Sequence, residues 1–384
     1  YLLTYIESTR EGYNIGGNYR PGIIMSTGNY PNPELTWGKS HDYNIAADLG
    51  FWDNRFGLTF EHYWRYETDK ITAAPSYLYP PSTGVDGNVP NMNFSKLKAW
   101  GWDLTLTHRN TVGKVKYNVD LTLAKSQDKY LDFGDESSVT PNLRRVGRSS
   151  MVWSMYEAEG LFQSQEEIDN WPLDQDGQGN ATLAPGDIKY KDINGDGKID
   201  ENDRTYLGYA FPRYTYGFTY NVKWKGIDFS IMLQGVLKRE NPVRGELVQP
   251  FHGDYSMTMF DHQLDYWSPQ NRDAHWPRLA VSGSVSDTNN WGHTGSDMML
   301  LEGAYMRIKN IQLGYTLPKK WTKKFGCEAL RIYFDTQNPL TWTKNGFVDP
   351  ETTSFGNNMS GGADNSVRNY PTLRYFGGGI DLTF

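Results

Sequence analysis

The sequence of 384 residues is short of the features that mark several common protein classes. It holds a single cysteine, Cys327, so neither a disulfide framework nor a cysteine-based metal site can exist within it. That residue reads as an inert one in a turn. No stretch approaches the roughly 18 consecutive apolar residues that a membrane-spanning helix requires, and the mean hydropathy is −0.66. A helical membrane protein is excluded, whereas a membrane β-barrel is not, because its strands are apolar on one face only. Basic excess is missing too. The 38 Lys and Arg face 45 Asp and Glu, a net charge of −7 without a basic stripe, which argues against nucleic acid as a partner.

Catalytic signatures are absent as well. The histidines (His41, His62, His108, His252, His262, His275, His293) show neither HExxH spacing nor a close pair suited to zinc. There is no GxSxG elbow and no phosphate-binding P-loop, and the carboxylates are too scattered to nominate an acid/base pair. The chain does not read as an enzyme. Gly377-Gly378-Gly379 is too short for a phosphate loop and lies in a strand pattern, where it permits curvature or close approach of a neighbouring segment. Neither a charged leader nor a short apolar signal follows Tyr1, which reads as a start removed by processing or truncation.

What is abundant is aromatic: 15% of the residues, with 26 Tyr and 13 Trp, alongside plentiful Gly and Asn. That is a β-rich composition. From Tyr214 to Trp224 the residues Tyr214, Tyr216, Phe218, Tyr220, Val222 and Trp224 alternate with polar or small ones. After the turn Lys225-Gly226, Ile227, Phe229, Ile231 and Leu233 alternate likewise, so the two runs predict a hairpin. The same design predicts hairpins for Tyr43–Phe51 with Phe56–Trp64, for Trp102–Leu106 with Val115–Leu123, and for Ile311–Leu317 with Leu330–Phe334. A last strand alternates from Phe376 to Phe384. Between hairpins lie long polar segments, near 69–93, 129–211, 238–301 and 341–371, far beyond the usual loop median of about five residues.

Short turns and long loops in strict alternation are the plan of an antiparallel barrel in an outer membrane, with short periplasmic turns at one rim and long extracellular loops at the other. By that parity the last strand descends to end at Phe384 on the periplasmic side. A soluble β-sandwich or lectin-like jelly roll also uses alternating strands, but those are commonly about five or six residues long. The arms here sustain alternation for about ten, the length of a tilted membrane strand. The expected fold is all-β, a transmembrane antiparallel β-barrel with long extracellular loops. About nine strands are legible, which would leave open edges in lipid, so the chain reads as incomplete. Residues 1–33 read as an extracellular loop segment and 34–384 as barrel strands and loops, with 129–211 the longest loop.

That loop carries the sharpest motif. Asp192, Asn194, Asp196, Asp200 and Asp203 stand at positions one, three, five, nine and twelve, with Gly197 at six and the carbonyl of Lys198 at seven. Hard cations take oxygen ligands in this spacing. The reading is a structural Ca²⁺, or Mg²⁺, stiffening the loop; Asp203 in place of the usual bidentate Glu shortens the reach at the twelfth position. A metal-free Asx-rich turn is the alternative. Loop aromatics (Trp153, Tyr156, Phe162, Trp171, Trp267, Trp276, Trp291) either stack on sugar rings or a partner, or pack among themselves, and the sequence leaves both open.

Several segments, in order, resemble the SusC/RagA-type TonB-dependent outer-membrane transporters of Bacteroidetes: Asn32–Ser40, Gly160–Ile168, Gly186–Asp200, Tyr305–Tyr315, the stretch around Gln337-Asn338, and Tyr370–Phe384. The resemblance covers most of the chain from Asn32 onward and implies the C-terminal part of a barrel of about 22 strands. It further implies outer-membrane import of nutrients, oligosaccharides or peptides, with a SusD-like surface lipoprotein over the barrel. An N-terminal plug and contacts to the TonB complex are implied too, neither lying in these residues. A passive porin or adhesin barrel, or a secreted carbohydrate-binding β protein, stands as the alternative.

Overall fold

The computed structural model describes residues 4–15, 18–26, 32–74, 79, 82, 89–243, 247–251, 259–281, 283–291, 296–344, 346–351 and 371–384. In chain order the strands are β1 (Thr4–Ile15), β2 (Asn18–Ser26), β3 (Lys39–Phe51), β4 (Phe56–Ala73), β5 (Asn91–Val112), β6 (Val115–Asp132), β7 (Trp153–Met155), β8 (Ala158–Leu161) and β9 (Ile188–Tyr190). There follow β10 (Thr205–Leu207), β11 (Tyr214–Trp224), β12 (Ile227–Leu237), β13 (Glu240–Pro242), β14 (Leu300–Glu302), β15 (Tyr305–Thr316), β16 (Ala329–Gln337), β17 (Thr341–Thr343) and β18 (Tyr375–Thr383). One antiparallel sheet runs β18-β16-β15-β12-β11-β6-β5-β4-β3, with β17 also on β15. All four expected hairpins and the last strand are present in it. Residues 1–33, read as a loop, contain the separate hairpin β1/β2; residues 1–3, 16–17 and 27–31 lie outside the described set.

The hairpins close as their turn residues dictate. At β11/β12, Lys225 and Gly226 both have positive φ (47° and 88°), the primed geometry whose twist matches the strands. A Cβ at Gly226 would stand 2.6 Å from the Thr316 carbonyl oxygen of the adjacent strand, so only glycine fits. At β3/β4 the chain turns through Trp52, Asp53 and Asn54, all at positive φ, which Asp and Asn tolerate and Trp does not favour. Leu317 to Glu328 connect β15 to β16 through two short helical turns, Lys319–Thr322 and Lys323–Phe325, and a left-handed Gly326. Every short connection therefore falls at one rim and every long one at the other.

The register sorts side chains by face. Leu49, Leu58, Leu106, Leu121, Phe218 and Leu233 are successive cross-strand partners over β3, β4, β5, β6, β11 and β12. One position away, Asp48, Thr59, Thr105, Thr122, Gly217 and Gln234 form the matching row on the opposite face. Along these rows one face is apolar and the other polar. The apolar face is not packed: Ile45 is 64% exposed and Ile380 63%, and the described residues hold no second sheet over it. That arrangement rules out a sandwich, which buries one face of each sheet against the other.

Buried side chains concentrate instead above the long-loop rim. Val243, Leu247, Val248, Trp276 and Met299 form one cluster; Leu161, Ile188, Tyr190 and Trp267 a second; Trp153, Met155 and Ala210 a third; Phe162, Ile168 and Leu183 a fourth. The loops are folded bodies tied by the three-residue ladders β7/β10, β8/β9 and β13/β14.

Candidate functional site

Three features of this framework bear on function: the polar wall of the sheet, the rim loops, and the acidic turn within them. On the polar face Arg331 of β16 links four strands. Its guanidinium donates to both carboxylate oxygens of Asp228 on β12 (3.0 and 2.6 Å), to Gln312 on β15 (3.0 Å) and to Asp381 on β18 (3.1 Å). To reach Asp228 it crosses β15 above Gly314, where a Cβ would lie 2.6 Å from its Nη2. The close approach expected at the triple-glycine run is present: a Cβ at Gly379 would stand 2.5 Å from the Tyr333 ring of β16. Asn310 adds a bond to Asp335 at 2.8 Å, and Arg65 to Asp42 and Asn44 to Glu61 are paired on β3 and β4. The wall is hydrophilic, and Arg331 and Arg65 tie carboxylates across its strands.

The rim loops are held to the strands by a second arginine. Arg307 of β15, only 4% exposed, pairs with Asp349 at 2.7 Å and with Glu351, and donates to Thr341 at 2.7 Å. Lys309 holds Glu351 at 2.9 Å. Burial works against ionisation of Asp349, yet the N–H groups of Glu351 and Thr372 with Arg307 hold its carboxyl below the usual range. In the longest loop Gln175 is buried, accepting from Tyr190 N–H at 2.9 Å and donating to the Ile188 carbonyl at 2.7 Å and to Asn289 at 2.8 Å. Asp187 accepts from Arg278 at 2.8 Å and from Asn290 at 3.0 Å. Most loop aromatics singled out above are core: Trp153, Phe162, Trp267 and Trp276 are buried, and Tyr156 and Trp171 pack against the clusters. The side chain of Trp291 lies outside the described set. A cleft of about 170 Å³ between strand and loop, touched by Leu97, Asp128, Ser150, Met151 and Arg213, is smaller than the roughly 300 Å³ at the low end of ligand pockets. It is a seam.

The acidic turn brings its six predicted residues into one loop. Gly195 and Gly197 both have positive φ (80° and 84°), as the tight winding needs. Asp192 accepts the N–H groups of Gly195 and, at 2.9 Å, Gly197; Asn194 accepts Asp196 N–H at 2.9 Å; Asp196 accepts Lys198 N–H at 3.0 Å. The Gly197 N–H is the chief reason that the Asp192 carboxyl titrates low. Asp200 caps the short helical turn Glu201–Asp203. Asp203 is fully buried, which pushes its carboxyl up, and it accepts the N–H groups of Ile193 (3.0 Å) and Asp200 (2.8 Å). The donor set is all oxygen, and Gly197 stands at position six, where a calcium loop carries its glycine. Among the described residues, however, no three acidic, His or Cys side chains already converge on one point. A neighbouring turn, which sequence reading passed over, is bonded to this one: Asp174 N–H donates to Gly197 O at 3.0 Å and Ile199 N–H to Asp174 O at 3.1 Å.

No family model matches the chain. The TonB-dependent receptor P26 of Formosa agariphila is 27% identical over 382 residues, 96% of this chain and 37% of that protein. The TonB-dependent receptor SusC of Bacteroides thetaiotaomicron is 24% identical over 371 residues, 92% of this chain and 32% of its own length. The structure of the RagAB peptide transporter superposes with a TM-score of 0.66 at 19% identity, over 100% of this chain and 38% of the other. The chain resembles the SusC/RagA-type TonB-dependent transporters in sequence and in fold. It spans about a third to two fifths of the length of the relatives it matches. The SusC/RagA-like segments occupy the strands that carry the wall and the loops that crown it. Tyr305–Tyr315 is the body of β15, Tyr370–Phe384 contains β18, and Gly160–Ile168 with Gly186–Asp200 lie within the longest loop, around its β8/β9 ladder and acidic turn.

Proposed function

We propose that this chain is the C-terminal wall of an outer-membrane β-barrel that imports oligosaccharides or peptides within a SusC-like TonB-dependent transporter. The observation that carries the reading is the uncovered apolar face. It is bordered by aromatics near the short turns (Phe51, Phe56, Tyr117, Trp224, Tyr315) and near the loop rim (Tyr43, Trp64, Trp100, Trp102, Tyr214), as at two membrane interfaces. In water such a face would be a large exposed patch; in lipid it is satisfied and the hydrogen bonds of the strands stay within the sheet. The polar face then lines the lumen of a barrel of about 22 strands. The folded loops stand outside the cell as a wall for substrate and a seat for a SusD-like lipoprotein. Energy coupling to the TonB complex belongs to residues outside this chain, and with it the plug rearrangement that passage requires. The solved relative is a peptide transporter by name, and oligosaccharide and peptide cargo both stay within the reading.

The test is site-directed labelling of the full-length protein in washed outer membranes, in a Cys327→Ser background. Ser230→Cys on the polar face should react with a water-soluble maleimide and Ile231→Cys on the apolar face should react only after denaturation. Equal reaction at both positions in intact membranes sinks the reading.

The acidic turn supports a structural ion in the same assembly. Ca²⁺, or Mg²⁺, would be held by Asp192, Asn194, Asp196, Asp200, Asp203 and the Lys198 carbonyl, its charge offsetting the crowded carboxylates and fixing the loop. Calcium should slow proteolysis of the 174–203 region and chelator should speed it. Asp192→Asn with Asp196→Asn should abolish the difference; if wild-type cleavage ignores calcium, the turn is metal-free.

A further inference from the structure

The apolar face ends in lysines at the loop rim, and among the described residues those lysines have no carboxylate partner. Along β6 the face reads Val115, Tyr117, Val119, Leu121, Leu123 and then Lys125, Gln127, Lys129; along β5 it reads Leu106, Leu104, Trp102, Trp100 and then Lys98. Lys98 and Lys129 are direct cross-strand partners, Lys125 opposes Trp102 and Tyr214, and Lys238 follows Leu237, the partner of Tyr214. Like charges placed directly opposite repel, so the Lys98/Lys129 pair costs stability unless an anion joins it. The nearby carboxylates are committed elsewhere: Asp69 to Lys39, Glu67 to Lys70, Asp132 to Lys96, and Asp128 to Ser149 and Ser150. Aromatic rings hold the ammonium groups in place. Lys98 Nζ lies 5.2 Å from the Tyr66 ring centre and 5.4 Å from that of Trp100, and Lys129 lies 6.0 Å from Trp100. Lys125 and Lys238 lie 5.7 and 5.8 Å from the Tyr214 ring.

Height along the strand places this patch. At about 3.4 Å per residue and a tilt near 45°, Lys125, ten positions beyond Val115, stands roughly 24 Å above the short-turn rim, the far edge of an apolar band about 25 Å tall. Lys98 and Lys129, fourteen positions from their turn, stand roughly 10 Å higher by the same arithmetic, at headgroup level. Ammonium groups on the lipid side of a membrane wall, between the edge of the apolar band and headgroup height, suit phosphate oxygens, each of which accepts several charge-assisted bonds.

We propose that Lys98, Lys125, Lys129 and Lys238, framed by Tyr66, Trp100 and Tyr214, form a lipid-facing site for the phosphate groups of an anionic outer-leaflet lipid. The proposal rests on the barrel reading and adds a ligand on the outside of the wall, away from any cargo. The experiment is native mass spectrometry of the full-length transporter in non-ionic detergent, each sample first checked as a folded barrel by heat-dependent gel mobility. It is titrated with bisphosphorylated lipid A, with dephosphorylated lipid A and with inorganic phosphate. Wild type should bind the phosphorylated lipid well above the dephosphorylated one and should hold no free phosphate. Each lysine removed should weaken binding about fivefold, so Lys98→Gln with Lys129→Gln should lose more than tenfold. Lys116→Gln with Lys223→Gln, a cross-strand lysine pair on the polar face, should change nothing. Equal binding of both lipids by wild type, or unchanged binding by the Lys98/Lys129 variant, overturns the site and leaves the barrel intact. Capture of free phosphate as tightly as of the lipid also overturns it. A wild-type protein that never behaves as a folded membrane barrel removes both readings, and that outcome is visible before any lipid is added.

Discussion

The sheet and the loops above it use one amino-acid vocabulary in opposite ways. In the sheet, Ile45, Leu49, Leu313, Phe334 and Ile380 are exposed, and order comes from the hydrogen-bonded ladder and the polar network on the other face. In the loops, Phe162, Ile168, Ile188 and Val243 are almost wholly buried, as in any water-soluble domain. On the proposed barrel reading the contrast follows the solvent of each part: water around the loops, and a medium without competing hydrogen bonds beside the sheet. Exposed apolar residues carry no such meaning when scattered. Here they fall predominantly on one face, in register along the nine-strand ladder.

The sharpest way to break the comparison is to hollow a loop core. Phe162→Ala removes a ring packed on Ile168, Leu183 and Trp171 and should cost about 3–5 kcal/mol of local stability. Limited proteolysis should then cut the longest loop while the barrel keeps its heat-dependent gel mobility. Next comes a charge on the apolar face. Ile231→Arg, facing Tyr220 and Ile311, should cost about 2–4 kcal/mol and lower assembly into the outer membrane, whereas Ser230→Arg one position away should be tolerated. Reversal of that order would show water on the wrong face.

A smaller effect belongs to the loops alone. Burial opposes the charge on Asp176, but the hydroxyl and N–H of Thr182 and the N–H groups of Gln178 and Asn180 overcome it and lower its pKa to about 2. Because the folded value lies below the unfolded one, this contribution is full above about pH 4 and is lost as pH falls toward 2. Asp176→Asn should remove about 1 kcal/mol at neutral pH and flatten the acid-dependent rise in loop proteolysis. Least sensitive should be the exposed pair Lys39–Asp69, where Asp69→Asn should leave the thermal unfolding midpoint essentially unchanged.

The sheet was legible because its information is local. Two alternating runs around a tight turn, as at Lys225-Gly226, specify a hairpin, and parity then fixes which rim each loop occupies. Sequence reading shortened β5 to Trp102–Leu106, whereas the strand runs from Asn91 to Val112. Above Trp100 the face turns from apolar to basic and the alternation that marks a strand disappears, although the ladder continues. The loop interiors were illegible for a related reason, since ladders of three residues such as β8/β9 have no period to read. Whether Trp267 or Trp276 met a ligand or a core depended on partners far along the chain, Gln163 and His262 among them. The acidic turn was legible as a motif, with Gly197 at its bend; the second left-handed glycine, Gly195, was not singled out. Its bond to the turn at Asp174 was not, because that link is made by backbone atoms that spacing does not reveal.

The crossing of Arg331 over Gly314 gives the last strand a key. Asp381 faces Arg331 in the observed register, while the residues two positions to either side, Gly379 and Thr383, carry no charge. A slip of β18 by one residue turns Asp381 to the apolar side, and a slip by two carries it beyond reach of the guanidinium. Only one alignment of the C-terminal strand therefore completes the pairing from Asp228 through Arg331 to Asp381, so the strand that ends the chain reads its own place in the wall.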